Sequence, residues 1–455
     1  MVGIIMFFAA LLMLLFGFPV AFTFAAVSVL FGIIAGIVEI GFDDGLEVGL
    51  VEGFEEGLLM FDFMPFRIMS IMQNTILMAV PMFIFMGIVL QKTGLAERLL
   101  ESMGFLFGEI RGGVAISTVL VGALLAASTG VVGASVVAMG VISLPVMMKY
   151  KYNTPLACGT ICASGTLGQI IPPSIVLIIL GDVFQVPVGD LFKAAIGPGL
   201  ALVGAYILYI VVISFFNKEM APAIPSDPTR GSKGKQVVRA LIDIIPSLTL
   251  ILLVLGSIFA GIATPTESSA VGCLGAIGLA IVYKSFSISM VKEASLESVK
   301  ITSMVFGILI GATAFSMVFT YTGGDEIVEH FMMSLPGDEK WGFIIFTMLA
   351  ILILGFFIDF VEISYIIVPI LVPIAMNLDI NPVWFAILIA MNLQTSFLTP
   401  PFGFSLFYLK GVVPATVRTI QIYKGVLPFI AIQIVVLMLI AFYPEFFGIN
   451  PSTAG

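Results

Sequence analysis

Two apolar runs, Val114 to Met148 and Phe343 to Met376, decide most of what this chain can fold into. At about 1.5 Å per residue, a helix of about 34 residues would be roughly 50 Å long, too long for a hydrocarbon layer near 30 Å. Each run is therefore expected to turn back on itself as a re-entrant hairpin. The first turn falls between Ala126 and Ser135, where Ser128, Thr129, Gly130 and Gly133 suit a bend. The second falls between Gly355 and Ile363, a stretch that holds Asp359 and Glu362. Both turns lie near the middle of the membrane.

The membrane itself follows from composition. The 455 residues are 60% hydrophobic and 10% charged, whereas a soluble domain carries roughly one quarter charged residues. The chain reads as an all-α polytopic membrane protein with roughly a dozen passes or re-entrant segments, leaving little for a soluble catalytic domain. The first run, from Met1 to Val20, lacks a basic leader and a small-residue cleavage site, so it reads as a first span. Apolar runs then recur in the same order in two halves. Residues 1–216 form a first repeat with its hairpin at about 113–148. Residues 217–239, rich in Pro, Ser, Gly and Lys, form a cytoplasmic linker, and residues 240–455 form a second repeat with its hairpin at about 342–376. A Thr-Gly pair precedes each hairpin, at Thr93 and Gly94 and at Thr322 and Gly323.

Charge placement orients the halves. The loop from Val38 to Asp62 carries Glu39, Asp43, Asp44, Glu47, Glu52, Glu55, Glu56 and Asp62 without a Lys or Arg, and the stretch before the second hairpin holds Asp325, Glu326, Glu329, Asp338 and Glu339. Arg111, Lys149 and Lys151 flank the first hairpin, and Lys410, Arg418 and Lys424 follow the last broken run. Basic loops stay in the cytoplasm. The first hairpin is thus based inside and the second outside, which makes the repeats inverted.

Each hairpin is followed by an apolar run broken by two adjacent prolines, Pro172 and Pro173 in one half and Pro400 and Pro401 in the other. Proline removes a backbone donor and clashes with the preceding turn, so a pair interrupts a helix. In hydrocarbon the freed carbonyls are tolerated where the chain lines a cavity or an ion site. Ser164, Gly165, Thr166 and Gln169 precede the first pair; Asn392, Gln394, Thr395, Ser396 and Thr399 precede the second. Neutral oxygens beside unwound carbonyls suit a hard monovalent cation, and helix N-termini suit an anionic substrate. Sodium ligands are therefore expected among Ser128, Ser164, Thr166, Asp359, Thr395 and Thr399, with Thr129, Gly133, Gly165, Asn392 and the four prolines lining the same sites. The plainer alternative makes each pair a kink and each hydroxyl a packing residue. Repetition of the whole pattern in both halves favours the site. Asp359 is an intramembrane carboxylate and is read as functional, and Glu362 follows one turn on. Glu267 either caps a helix in Thr-Pro-Thr-Glu or acts at the site.

Several blocks together resemble the large membrane subunit of the tripartite ATP-independent periplasmic (TRAP) transporters. They are Val80–Gly87, Gly165–Ser174, Thr264–Glu267 and the Leu-Thr-Pro-Pro-Phe-Gly block that ends at Gly403. The resemblance covers essentially the whole chain. Common members of that family carry Gly-Ser-Ser-Ala-Ala-Thr at the first hairpin turn, where this chain has Ala-Ser-Thr-Gly-Val-Val-Gly-Ala-Ser, so it resembles a divergent branch. The resemblance implies the fold of the ion-transporter superfamily and an elevator mechanism. It also implies a small four-helix membrane subunit, a periplasmic substrate-binding protein that delivers an organic acid, and residence in the bacterial or archaeal cytoplasmic membrane. No cofactor and no nucleic acid is expected, only sodium as the coupling ion and the lipid bilayer as surroundings.

The nearest rival is a stand-alone sodium-coupled divalent-anion symporter of the related elevator fold. Such proteins carry Ser-Asn-Thr at the hairpin tips, and this chain has none. An intramembrane protease lacks its parts, because the single histidine, His330, lies among outer acids and no Gly-Xaa-Gly-Asp occurs. A channel would need repeated pore segments or a ring of charge. Cys158, Cys162 and Cys273 lie in apolar stretches without companion ligands and read as small buried residues.

Overall fold

A computed structural model of the chain describes residues 1–44, 46–129, 132–224, 233–334 and 338–452; for 41–44, 46–49, 105, 128, 129, 233, 235 and 239 it describes the backbone alone. In the first half the helices are α1 (Val2–Leu15), α2 (Val20–Asp44), α3 (Leu46–Leu59), α4 (Met64–Gln73), α5 (Ala79–Lys92), α6 (Leu95–Phe107), α7 (Gly113–Thr129), α8 (Val132–Lys149), α9 (Thr154–Thr166), α10 (Ile175–Val183) and α11 (Val188–Phe216). The second half has α12 (Lys233–Phe259), α13 (Pro265–Val282), α14 (Ile288–Tyr321), α15 (Gly324–Met333), α16 (Glu339–Leu354), α17 (Phe360–Glu362), α18 (Val368–Asn377), α19 (Pro382–Leu398), α20 (Phe404–Val412) and α21 (Thr419–Phe442). A π-helical turn, Ile363–Ile367, joins α17 to α18. Among the described residues eight helices are long and apolar enough to cross a membrane, or nine if α5 and the start of α6, bent by 58°, count as one span. The chain is an all-α polytopic membrane protein.

Both long runs double back. The first becomes α7 and α8; residues 130 and 131 of its turn lie outside the described residues. The second becomes α16 and the α17–α18 arm, with the turn between Leu354 and Asp359. The paired Thr-Gly signals also have a structural meaning. Gly94 and Gly323 take left-handed backbone angles, φ 68° and 66°, each opening the helix that precedes a hairpin, a conformation natural to glycine.

The described residues form two compact units, and each draws on both halves of the sequence. One comprises Met1–Leu77, Lys300–Pro382 and Ser452. Within it α2 and α3 lie against each other through Gly32, Gly36, Gly53 and Gly57; a methyl group on Gly36, Gly53 or Gly57 would strike backbone of the opposing helix, and one on Gly32 would press on the Phe61 ring. This corrects the expectation of a loop from Val38 to Asp62. Small residues four apart let the two backbones touch, and the acidic residues ride on a helical pair. The same unit contains the second hairpin, where Asp338 caps α16 by accepting from the Trp341 N–H at 3.0 Å.

The other unit comprises Met78–Val299 and Val383–Pro451. Its centre is α9 and α19. Every residue of α9 from Leu156 to Thr166 is buried, and so is every residue of α19 from Trp384 to Leu398. A helix with no exposed face needs neighbours all round. The arms of the first hairpin supply them for α9 on one side, and α21 does so on another. Gly159 of α9 and Gly425 of α21 set that last crossing, since a methyl group on either would run into backbone of the other helix. Asn153 starts α9 by accepting from the Leu156 N–H at 3.2 Å.

Candidate functional site

Both proline pairs end a helix inside the second unit. After Thr166 the chain tightens into a 3₁₀ turn, Leu167–Gln169, passes through Pro172 and Pro173 without helical bonds, and restarts at Ser174, the N-cap of α10. After Leu398 it passes through Pro400 and Pro401 and restarts at Gly403, the N-cap of α20. Both Pro-Pro bonds are cis. Each break therefore presents the carbonyl end of one half-helix and the amide end of the next, a negative and a positive dipole end at one level.

The hydroxyl side chains before each break are buried, or half-buried at Thr399, and their protons are committed. Ser164 donates to the Ile161 carbonyl at 3.1 Å and Thr166 to the Ala163 carbonyl at 2.9 Å. Thr395 donates to the Met391 carbonyl at 2.9 Å and Thr399 to the Thr395 carbonyl at 2.7 Å. Ser396 donates to the Leu393 carbonyl at 2.8 Å. A hydroxyl has one proton and two lone pairs. With the proton spent on the helix, each oxygen is left as an acceptor, the form in which it binds a cation. Beyond the breaks, Ser174 donates to the Gln169 carbonyl at 2.7 Å and Ser405 to the Phe397 carbonyl at 2.8 Å. These bonds tie each restarting helix back to the one that ended.

The structure brings the first hairpin onto this region. Gly122 of α7 lies against Ser164, where a methyl group would come within 2.6 Å of the Ser164 Cβ. Gly165 lies against Val136 of α8 so closely that any side chain would collide with it. Gly165 is thus needed for its size. Gly133 faces the ring of Tyr408 on α20, 3.0 Å from where its Cβ would be. Cys162 of α9 approaches the Ser405 carbonyl at 3.7 Å. The hairpin of the first half, the first broken helix and the second broken helix's far segment are consequently neighbours. Tyr408 and Ser405 were absent from the residues expected at the site, since neither precedes a proline pair. The side chains of Ser128 and Thr129 lie outside the described residues.

Asp359 sits at the tip of the second hairpin, as N-cap of α17, accepting from the Phe360 N–H at 2.7 Å. It belongs to the first unit, whereas Thr395, Thr399, Asn392, Pro400 and Pro401 belong to the second. Glu362 is 4% exposed, and its Oε2 has no hydrogen-bond partner among the described residues. Gln169 and Gln394, 1% and 0% exposed, likewise leave both side-chain polar atoms unpartnered. A buried amide without partners costs a few kcal/mol unless something else satisfies it. Glu267 is accounted for locally, because its carboxylate accepts from the Thr264 N–H at 2.8 Å and its own N–H donates to the Thr264 hydroxyl at 3.3 Å, a complete capping box.

Comparison with known proteins adds lineage to this geometry. A family model described as the tripartite ATP-independent periplasmic transporter, DctM component, matches residues 5–446. The C4-dicarboxylate TRAP transporter large permease protein DctM of Pseudomonas aeruginosa is 32% identical over 81% of this chain and 84% of its own length. The isethionate TRAP transporter permease protein DctMQ of Oleidesulfovibrio alaskensis is 30% identical over 91% of this chain and 65% of its own. Among solved structures, the YdaH transporter of Alcanivorax borkumensis superposes with a TM-score of 0.60 at 13% identity, covering 95% of this chain and 98% of that one. At that identity the likeness is one of fold.

Proposed function

The chain belongs to the tripartite ATP-independent periplasmic transporter family as its DctM component, a large membrane permease subunit and not an enzyme, and from that premise we propose that it imports an organic acid driven by sodium. The observation that carries the coupling ion is the set of hydroxyls before the two breaks, buried at Ser164, Thr166 and Thr395 and half-buried at Thr399, whose protons all go to helix carbonyls. Oxygens presented as acceptors next to exposed helix C-termini are what a sodium ion requires. The amide ends of α10 and α20 favour the carboxylate of a substrate. The substrate class is supported by the names of the two relatives, since a C4-dicarboxylate and isethionate are both small organic anions.

The remaining parts of the proposal follow the family. A periplasmic binding protein delivers the acid at the outer face of the cytoplasmic membrane, and a separate small four-helix subunit completes the membrane complex. Part of the support is the length of the isethionate permease, of which this chain covers 65%, leaving room there for a second membrane component. Movement is proposed to be of the elevator type, with the site carried across the bilayer on hairpins and broken helices. The family assignment favours this over a stand-alone divalent-anion symporter.

The test is uptake by the reconstituted subunits in liposomes with a C4-dicarboxylate supplied on its binding protein. Uptake should rise with an inward sodium gradient and stop when choline replaces sodium. Uptake indifferent to sodium, or dependent on ATP, would overturn the coupling.

A further inference from the structure

Beside the first hairpin, α6, α7 and α8 enclose a cavity of about 300 Å³ that plays no part in the transport chemistry proposed above. Glu97, Glu101 and Gly104 line it from α6, and Ile142, Val146 and Lys149 from α8. Each trio is spaced i, i+4, i+7, so each is one helix face turned to the cavity. A methyl group on Gly104 would meet nothing within 4 Å, which leaves α6 open to the cavity at that point. Below its polar face, α6 buries Leu95, Leu99 and Met103, while Glu97, Arg98 and Glu101 are exposed. The charged side chains of Glu97, Arg98 and Glu101 on α6 and of Lys149 at the end of α8 put this cavity at the level of the lipid head groups, outside the hydrocarbon.

We propose that this cavity binds the head group of a phospholipid that carries both a primary ammonium and a phosphate, the chemistry of phosphatidylethanolamine. The ammonium lies between Glu97 and Glu101, and the phosphate lies at Lys149, whose ammonium stands 5.7 Å from the centre of the Tyr150 ring. The charges select this lipid over its neighbours. A head group with phosphate alone would bring its negative charge to two carboxylates. A quaternary ammonium has no N–H to donate to them. Arg98, the one basic residue of α6, stacks instead on Tyr283 at 4.9 Å. The volume sits at the lower end of the roughly 300–1,000 Å³ of ligand pockets, so the head group enters and the tails stay outside. They have an apolar path along α8, where Val141 and Val146 are 55% and 39% exposed.

The experiment is native mass spectrometry of the purified full chain in detergent with phosphatidylethanolamine, phosphatidylcholine and phosphatidylglycerol of matched tails. Phosphatidylethanolamine should be retained about fivefold better than phosphatidylcholine, the size expected of the one or two N–H donors that the quaternary ammonium lacks. That preference should fall to near unity in a Glu97→Gln, Glu101→Gln variant. Gly104→Leu, which projects into open space, should remove retention of all three while the variant keeps its thermal midpoint. Equal retention of the three lipids by the unaltered chain, an undiminished preference in the double variant, or undiminished binding in Gly104→Leu would each overturn the proposal. So would displacement of the lipid by millimolar soluble phosphoethanolamine, which would make the site one for a free metabolite.

Discussion

A hydroxyl inside a membrane protein must send its proton somewhere, and Ser164, Thr166, Thr395 and Thr399 all send theirs to a carbonyl about one turn back. The oxygen that remains is an acceptor, which the proposed sodium site would use. A hard cation in such a site is held by about five or six oxygens, so losing one weakens it without abolishing it. Thr166→Ala and Thr399→Ala are each expected to raise the sodium concentration for half-maximal uptake by about tenfold, the cost of one lost polar partner. Thr166→Ser should restore most of the affinity. The sodium dependence of uptake in liposomes measures both; an unmoved half-saturation in the two alanine variants would remove these hydroxyls from the site. Residue type and proline spacing made Ser164, Thr166, Thr395 and Thr399 legible in the sequence. Tyr408 was not legible, because its place against Gly133 comes from a contact between segments far apart in the chain.

Among the elements, α9 shows most directly how size alone can hold a site in position. It is buried on every face, and its crossing with α21 is closed to anything larger than glycine at Gly159 and Gly425. Gly159→Ala should lower the thermal midpoint of the solubilised protein, with a cost of about 1–3 kcal/mol as for other overpacked cores. Gly204→Ala on α11, where an added methyl group meets nothing within 4 Å, should leave the midpoint unchanged or raise it slightly. Equal effects of the two substitutions would show that the crossing is looser than its glycines indicate. The acidic stretch after α2 teaches the complementary lesson. Charge density made Val38 to Asp62 look like a loop, yet the four-residue spacing of Gly32, Gly36, Gly53 and Gly57 was the stronger signal, because it lets helical backbones pack without side chains between them.

At the scale of the whole molecule, the inverted arrangement rests on the charge asymmetry of the loops and remains open to direct test. On a background lacking Cys158, Cys162 and Cys273, a Tyr150→Cys variant should react with an impermeant thiol reagent only in inverted vesicles, and a Glu339→Cys variant only in intact spheroplasts. Labelling of both from the same side would remove the inverted repeat and, with it, the pairing of the two proline breaks. The two compact units each combine segments from both halves of the sequence. Element order in the chain is therefore a poor guide to which elements share a body.

The sequence by itself determined the membrane class, the two hairpins and the two broken helices, because each follows from a local property. Hydropathy fixes what enters the lipid, helix rise fixes what is too long for it, and a missing N–H fixes where a helix stops. Tertiary structure alone decided that α9 is enclosed by the first hairpin and α21 and that Gly133 meets Tyr408. Helices that are apolar on every side carry no stripe to announce which face meets which neighbour. Their partners are chosen by close packing of small residues, and packing is settled only when the distant segments have come together.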